Sequence, residues 1–161
     1  MIRPCGVADF TTILEIVNQS AMAYKGVIPS DRWHEPYFDS VDLALGIDKG
    51  IEFWVWEEKK QILGVMGLQR VEDVTLIRHA YVRPEMRGKG VGRALLSYLL
   101  HKAAPPILVG TWKAADWAIR FYERNNFEIV PDDEGADLQR KYWKVPERQV
   151  EESVVLQWKG H

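Results

Sequence analysis

The segment Arg87-Gly88-Lys89-Gly90-Val91-Gly92 lies between a strand-like run that ends at Pro84 and an amphipathic stretch over residues 93–103. Glycines in such a turn let consecutive backbone N–H groups converge at a helix N-terminus, where unpaired donors and the helix dipole favour an anion. A strand, a glycine-rich turn and a helix are thereby imposed on the middle of the chain, and a phosphate-bearing ligand is expected there. Spacing restricts which one. A Walker loop needs Gly-x-x-x-x-Gly-Lys-Ser/Thr, and no Lys-Ser or Lys-Thr follows these glycines. The dinucleotide fingerprint needs Gly-x-Gly-x-x-Gly with an acid about 20 residues further on. Here Gly88, Gly90 and Gly92 alternate, and Leu108 stands where that acid would be sought.

The flanking pattern extends the frame in both directions. Residues 2–5 predict a short edge strand, and Asp9 is placed to cap the apolar-periodic run Ile13, Ile16, Val17, Met22 as a helix that Gly26 and Pro29 end. Residues 30–40 are aromatic and mixed in charge and read as a short helix or ordered loop; residues 41–48 predict a further short helix. Residues 51–56 and 61–69 form a hairpin pattern, and residues 75–82 a third strand limited by Pro84. Val91, Ala94, Leu95, Tyr98 and Leu99 recur at helical spacing until Pro105-Pro106. A short buried strand over 107–109, a helix over 114–124 ended by Asn125-Asn126, a strand over 127–130, a helix over 132–144 and a late strand over 153–158 complete the order. This is an α+β or mixed α/β layer structure, with a sheet that carries helices on both faces.

Composition excludes several function classes. The chain has 161 residues, 47% hydrophobic and 27% charged, which supports one packed core, so a single domain over 1–161 is expected. A formal net charge of -2 gives no overall basic field for nucleic acid or an anionic membrane, and leaves only a local patch at Arg83, Arg87, Lys89 and Arg93. Cys5 is the only cysteine, so no intrachain disulfide and no Cys-rich zinc pattern is available. His34, His79, His101 and His161 have no metal-ligand spacing, and no metal is expected. Residues 1–10 are mixed and interrupted by Pro4 and Asp9, unlike a signal peptide, and no uncharged apolar run approaches the ~20 residues that span a bilayer. A cytoplasmic protein is expected.

The glycine turn matches Arg/Gln-x-x-Gly-x-Gly/Ala at Arg87, Gly90 and Gly92. The stretch Ile77-Arg78-His79-Ala80-Tyr81-Val82-Arg83-Pro84 precedes it, and Ala118-Ile119-Arg120-Phe121-Tyr122-Glu123-Arg124-Asn125-Asn126-Phe127 follows. In these three motifs and in the order of its elements the chain resembles the GNAT superfamily of acetyl-CoA-dependent N-acetyltransferases. The resemblance implies a GNAT-like central mixed sheet in which the strand ending at Tyr81 and Val82 splays from its parallel neighbour to form the CoA cleft. It implies that backbone amides of Arg87, Gly88, Lys89, Gly90, Val91, Gly92 and Arg93 bind the CoA pyrophosphate, and that main-chain groups at Tyr81 and Val82 pair with the pantetheine arm. Tyr122 stands at the position where many members use a tyrosine as general acid toward the departing thiolate. The co-substrate implied is acetyl-CoA, and the reaction is acetyl transfer to a primary amine of a small molecule or peptide by direct attack.

Two positions depart from the family pattern. Ungapped counting back from Arg87 puts the family's acidic or histidine base at Leu76, which cannot take a proton, with Arg78 two residues later on the same face. His79 points to the opposite face under strict alternation, although a bulge would reverse that facing. Glu72 and Asp73 could act through water, but read as a solvated turn. Ala115 stands where the family often has an asparagine that contacts pantetheine, a contact Trp112 or Asp116 could replace. The acceptor pocket is expected from the segment after the first helix, with Tyr24, Trp33, His34, Tyr37 and Phe38, and Trp54 or Trp56 joining from the hairpin. Leu76 and Ala115 motivate an alternative, a non-catalytic acyl-CoA-binding sensor or interaction module with the same fold. Late strands of such folds often pair between subunits, and Val154, Val155, Leu156 and Trp158 offer an apolar edge for a homodimer; the alternative is an ordinary strand within one chain.

Overall fold

Alternating burial along Ile51, Phe53 and Val55 makes a half-buried strand, and the run from Ile62 to Met66 is buried on both faces. These two strands start the centre of the sheet. In the computed structural model, which describes residues 1–161, the sheet has seven strands in the order β1-β2-β3-β4-β5-β7-β6. They are β1 (Ile2–Pro4), β2 (Ile51–Glu58), β3 (Gln61–Val71), β4 (Val74–Val82), β5 (Ile107–Trp112), β6 (Phe127–Ile129) and β7 (Ser153–Trp158). Every pairing is antiparallel except that between β4 and β5. No helix is long and apolar enough to cross a membrane.

Helices cover both faces. On one lie α3 (Val91–Lys102) and α4 (Asp116–Arg124), where Leu95, Leu96 and Leu99 of α3 pack on Met66, Ile77, Ile107 and Leu156. On the other lie α1 (Phe10–Ala21) and α2 (Ser40–Asp48), whose Ile13, Ile16, Val17 and Leu43 meet Phe53, Val55 and Val65. The same face carries α5 (Asp132–Leu138), continued by a π-helical turn (Gln139–Trp143), and the short α6 (Glu147–Glu151). There Tyr142 closes over Leu76, Leu108 and Val155.

Two sequence expectations are corrected. Asp9 does not cap α1: its carboxylate accepts from the Gly6 amide at 2.7 Å and from Arg3 Nη1 and Nη2 at 2.8 and 3.0 Å, tying β1 to the turn before the helix. The helix that is capped is α2, where Asp39 Oδ1 accepts from the Asp42 amide and Asp42 Oδ2 from the Asp39 amide, the reciprocal box that satisfies two terminal donors. The apolar late strand offers no dimer edge, because β7 is hydrogen-bonded on both sides within the chain, with Val155 and Leu156 1% and 0% exposed.

The parallel pair β4/β5 positions the site. It is built from only three residue pairs, Thr75 with Ile107, Leu76 with Leu108 and Ile77 with Val109. Beyond them β5 stays with β7 as far as the pair Trp112 with Ser153, and β4 stays with β3 as far as Gly64 with Val82. The strands therefore diverge, as the resemblance implied. The divergence coincides with a bulge in β4: between the pairs Val65 with Tyr81 and Gly67 with Arg78, two steps on β3 face three on β4. His79 takes the left-handed conformation there, at φ 52°. Gly67 lets the strands approach at this point, since a Cβ on it would lie 2.8 Å from Ile51 Cγ2 and 3.0 Å from the Arg78 carbonyl oxygen.

Candidate active site

A cleft of about 750 Å³ runs from the start of α3 into the β4/β5 opening. At its mouth Gly88 and Gly90 adopt φ 75° and 86°, and Gly90 is the N-cap of α3. The amides of Gly88, Gly90, Val91, Gly92 and Arg93 donate to no protein acceptor, and no acidic residue stands in the first turn of the helix. Five converging donors at the positive end of a twelve-residue helix make an anion site. The expected set is narrower by two amides. Those of Arg87 and Lys89 are taken by the carbonyls of Pro84 and Met86, each at 3.3 Å, because the chain enters through a tight 3₁₀ turn (Pro84–Met86). Lys89 is exposed and does not line the cleft, whereas Arg87 and Arg93 do.

Tyr81 and Val82 line the same cleft, as does Tyr122 from α4. The Tyr122 ring is fixed edge-on between Phe121 at 5.1 Å and Phe127 at 5.4 Å. Burial raises its phenol well above the ordinary range, so the hydroxyl keeps its proton at neutral pH and is a donor. Residues the sequence did not single out also build the cleft. Ser20 at the end of α1 donates its hydroxyl to the Val82 carbonyl at 2.6 Å, fixing the end of β4, and Trp117 stacks on Tyr24 at 5.9 Å.

A smaller cavity of about 160 Å³ adjoins the cleft, with Tyr24 and Tyr81 in the walls of both. Of the expected acceptor residues, Tyr24, Tyr37 and Arg78 line it. Trp33 and His34 do not; they stack behind Tyr37 at 5.6 and 6.0 Å. Phe38 is core, packed on His79 at 4.4 Å. Trp54 and Trp56 face the other side of the sheet, where Trp54 packs on Tyr98 and under Lys102. Trp112 lines the small cavity, and its indole Nε1 donates to the Tyr37 hydroxyl at 2.8 Å; Asp116 is exposed on α4. Strands β4 and β5 supply Ile77, His79, Gly110 and Thr111, and the segment that connects β6 and β7 supplies Gln139, Trp143 and Gln149, which sequence reasoning missed.

The bulge decides the histidine. The extra residue in β4 lets His79 and Arg78, neighbours in sequence, line one cavity, contrary to strict alternation. The ring lies between Phe38 and Phe53, and burial, helped by the Arg78 charge, holds its pKa at about 3, so it is a neutral imidazole. Leu76 is fully buried beneath Tyr142, in neither cavity, so an apolar residue there bears on packing and not on proton transfer. Ala115 is likewise fully buried. Glu72 and Asp73 lie in the β3–β4 turn, where Asp73 accepts from the Tyr142 hydroxyl at 2.5 Å, remote from both cavities.

Residues 49–129 match the family model described as an acetyltransferase (GNAT) domain. The peptidyl-lysine N-acetyltransferase YiaC of Escherichia coli (strain K12) is 26% identical over 132 residues, 81% of this chain and 84% of that protein. Among solved structures, the PaiA N-acetyltransferase of Thermoplasma acidophilum in complex with coenzyme A aligns with a TM-score of 0.74 at 16% identity, over 99% of this chain and 98% of that one. A GNAT-family acetyltransferase of Staphylococcus aureus Mu50 aligns with a TM-score of 0.72 at 19% identity, over 99% of both chains.

Proposed function

Because the chain belongs to the GNAT acetyltransferase family, we propose that it transfers the acetyl group of acetyl-CoA to a primary amine by direct attack, within one domain over residues 1–161. The observation that carries this reading is the row of five free amides at the start of α3, opening into a cleft that ends beside Tyr122. The amides of Gly88, Gly90, Val91, Gly92 and Arg93 hold the pyrophosphate. The Tyr81–Val82 end of β4, beyond the last β4/β5 pair, is the strand edge to which the pantetheine arm pairs with its own amides, the Val82 carbonyl accepting from Ser20 as well.

The neutral amine attacks the thioester carbonyl carbon from the small cavity. A C–N bond forms, negative charge gathers on the carbonyl oxygen, and a main-chain N–H near Val82 stabilises it. As the C–S bond breaks, Tyr122 gives its phenolic proton to the sulfur, and the proton shed by the new ammonium returns through water to the phenolate. The acceptor in this reading is a small molecule, a size that the cavity of about 160 Å³ beside Tyr81 suits. The relative named for peptidyl-lysine sets the comparison: its acceptor is a side chain on a polypeptide.

The test is an acetyl-CoA turnover screen over small amines, amino acids, aminoglycosides and peptide N-termini. With a competent amine, Tyr122→Phe should lower kcat about 10²–10⁴-fold, the usual worth of a general acid. Undiminished turnover in that variant, or no saturable acetyl-CoA binding by calorimetry, overturns the reading.

A further inference from the structure

The small cavity contains a charge that the protein itself does not neutralise. Among the residues that line it there is one cation, Arg78, and no aspartate or glutamate. The guanidinium makes a single hydrogen bond, from Nη1 to Gln69 Oε1 at 2.7 Å, which leaves Nε and Nη2 without a protein acceptor on a side chain that lines the cavity. Gln69 is itself 6% exposed and fixed: its Nε2 donates to the Lys49 carbonyl at 3.1 Å, which turns Oε1 toward the arginine. Burial lowers the Arg78 pKa and no neighbouring charge opposes it. A guanidinium does not deprotonate in a protein, so this site holds a positive charge that is largely, though not fully, withdrawn from water. Such a charge is costly unless something pairs with it.

We propose that the acceptor is a small amine that carries a carboxylate, and that Arg78 binds it through that carboxylate. This rests on the acetyl-transfer reading of the same site and names the substrate class. With Nη1 held by Gln69, the Nε/Nη2 edge is left as a planar fork, the geometry that a carboxylate accepts bidentately. A cavity of about 160 Å³ is on the scale of a small amino acid. Polyamines and aminoglycosides are disfavoured, because they would bring extra cations against Arg78 with no acid to receive them. The two segments that flank the cavity are also fastened together: Arg148 of α6 donates from Nε and Nη2 to the Asp31 carboxylate at 3.0 and 3.2 Å. Next to these residues in the chain, Gln149 lines the cavity, and Tyr37 lines it from the segment of Asp31.

Matched sets test the proposal: glycine, alanine and glutamate, the carboxamide of each α-carboxyl group, and the corresponding amines without that group. In the wild type, kcat/KM for the carboxylate should exceed that for the carboxamide by about 10–150-fold, the range for a hydrogen bond to a charged partner. In Arg78→Gln this ratio should collapse toward unity, and Gln69→Leu, which frees the guanidinium to turn, should give an intermediate ratio. The melting temperature of Arg78→Gln should be no lower than that of the wild type, since an unpaired buried charge has been removed; a purely structural arginine would lower it. Equal kcat/KM for acid and amide in the wild type, or an unchanged ratio in Arg78→Gln, overturns the proposal. Calorimetry on protein saturated with coenzyme A separates it from the transfer reading. Carboxylate binding that Arg78→Gln abolishes, without turnover, supports the site while refuting acetyl transfer; no binding of any carboxylate refutes the site.

Discussion

Alanine at Gly90 isolates the contribution of the α3 amides. Gly90 holds φ 86° at the N-cap, where an L side chain costs about 1–2 kcal/mol. A Cβ built there meets no atom within 4 Å, so no clash is added and the whole effect is one of backbone conformation. The turn is exposed and unpacked. In the free protein it can relax away from the left-handed region at little cost to stability, and ligand binding must then restore it. The cost consequently falls on affinity. Gly90→Ala should weaken coenzyme A binding about 5- to 30-fold, read by titration calorimetry. Acetylpantetheine supplies the thioester arm without the pyrophosphate, and its KM should not change. Unchanged coenzyme A affinity, or equal weakening for acetylpantetheine, would refute the assignment of these amides to the pyrophosphate.

Gly67→Ala should lower stability by about 1–3 kcal/mol, because its Cβ would lie 2.8 Å from Ile51 Cγ2 and 3.0 Å from a backbone oxygen that cannot rotate away; an unchanged urea midpoint would contradict this. His79 titrates at about 3 in the native protein against 6.5 unfolded, so between those values the unfolded chain binds more protons. Its contribution is complete above about pH 6.5 and is lost as pH falls, with a slope of up to about 1.4 kcal/mol per pH unit. Urea midpoints measured at pH 7 and pH 5 should therefore separate less in His79→Gln than in the wild type, and equal separation would show that the imidazole is not desolvated. Tyr37→Phe removes the acceptor of the Trp112 indole N–H, a residue 7% exposed, and should cost about 1–3 kcal/mol in chemical denaturation; a loss well below that range would mean the indole has another partner.

The anion turn and α3 were legible because their signals are local: glycines that permit positive φ, followed by an apolar stripe at helical spacing. The facing of His79 was not. Alternation is a local rule, and the bulge that breaks it arises from the mismatch of β4 against β3, which nothing between Ile77 and Pro84 announces. The acceptor cavity was half legible. Tyr24, Tyr37 and Arg78 could be named, but aromatic content alone could not separate Tyr37 from Trp33 and His34, which stack outside it. Gln69 looked like the end of a hairpin strand, and Trp143 fell within the helix expected over 132–144. Their place at the site depends on strand register and on a π-helical turn, both of which join distant parts of the chain. For β7, the pattern predicted a strand but not its neighbours, because insertion between β5 and β6 is decided by the long connection through α5 and α6.

The short β4/β5 ladder has a mechanical consequence. Strands β1 to β4 form one half-sheet and β5 to β7 another, and only three parallel residue pairs stitch them. A molecule lodged in the opening works as a rivet across this seam, so occupancy is also tensile strength: at 100 times its Kd a ligand adds about 2.7 kcal/mol to the folded state. The small cavity is walled by Arg78 on one half and Gly110 on the other, so its occupant grips both plates as well. Two rivets in one seam share its strain. Whatever coupling exists between donor and acceptor must act equally in both directions, and it is expected to run through this joint.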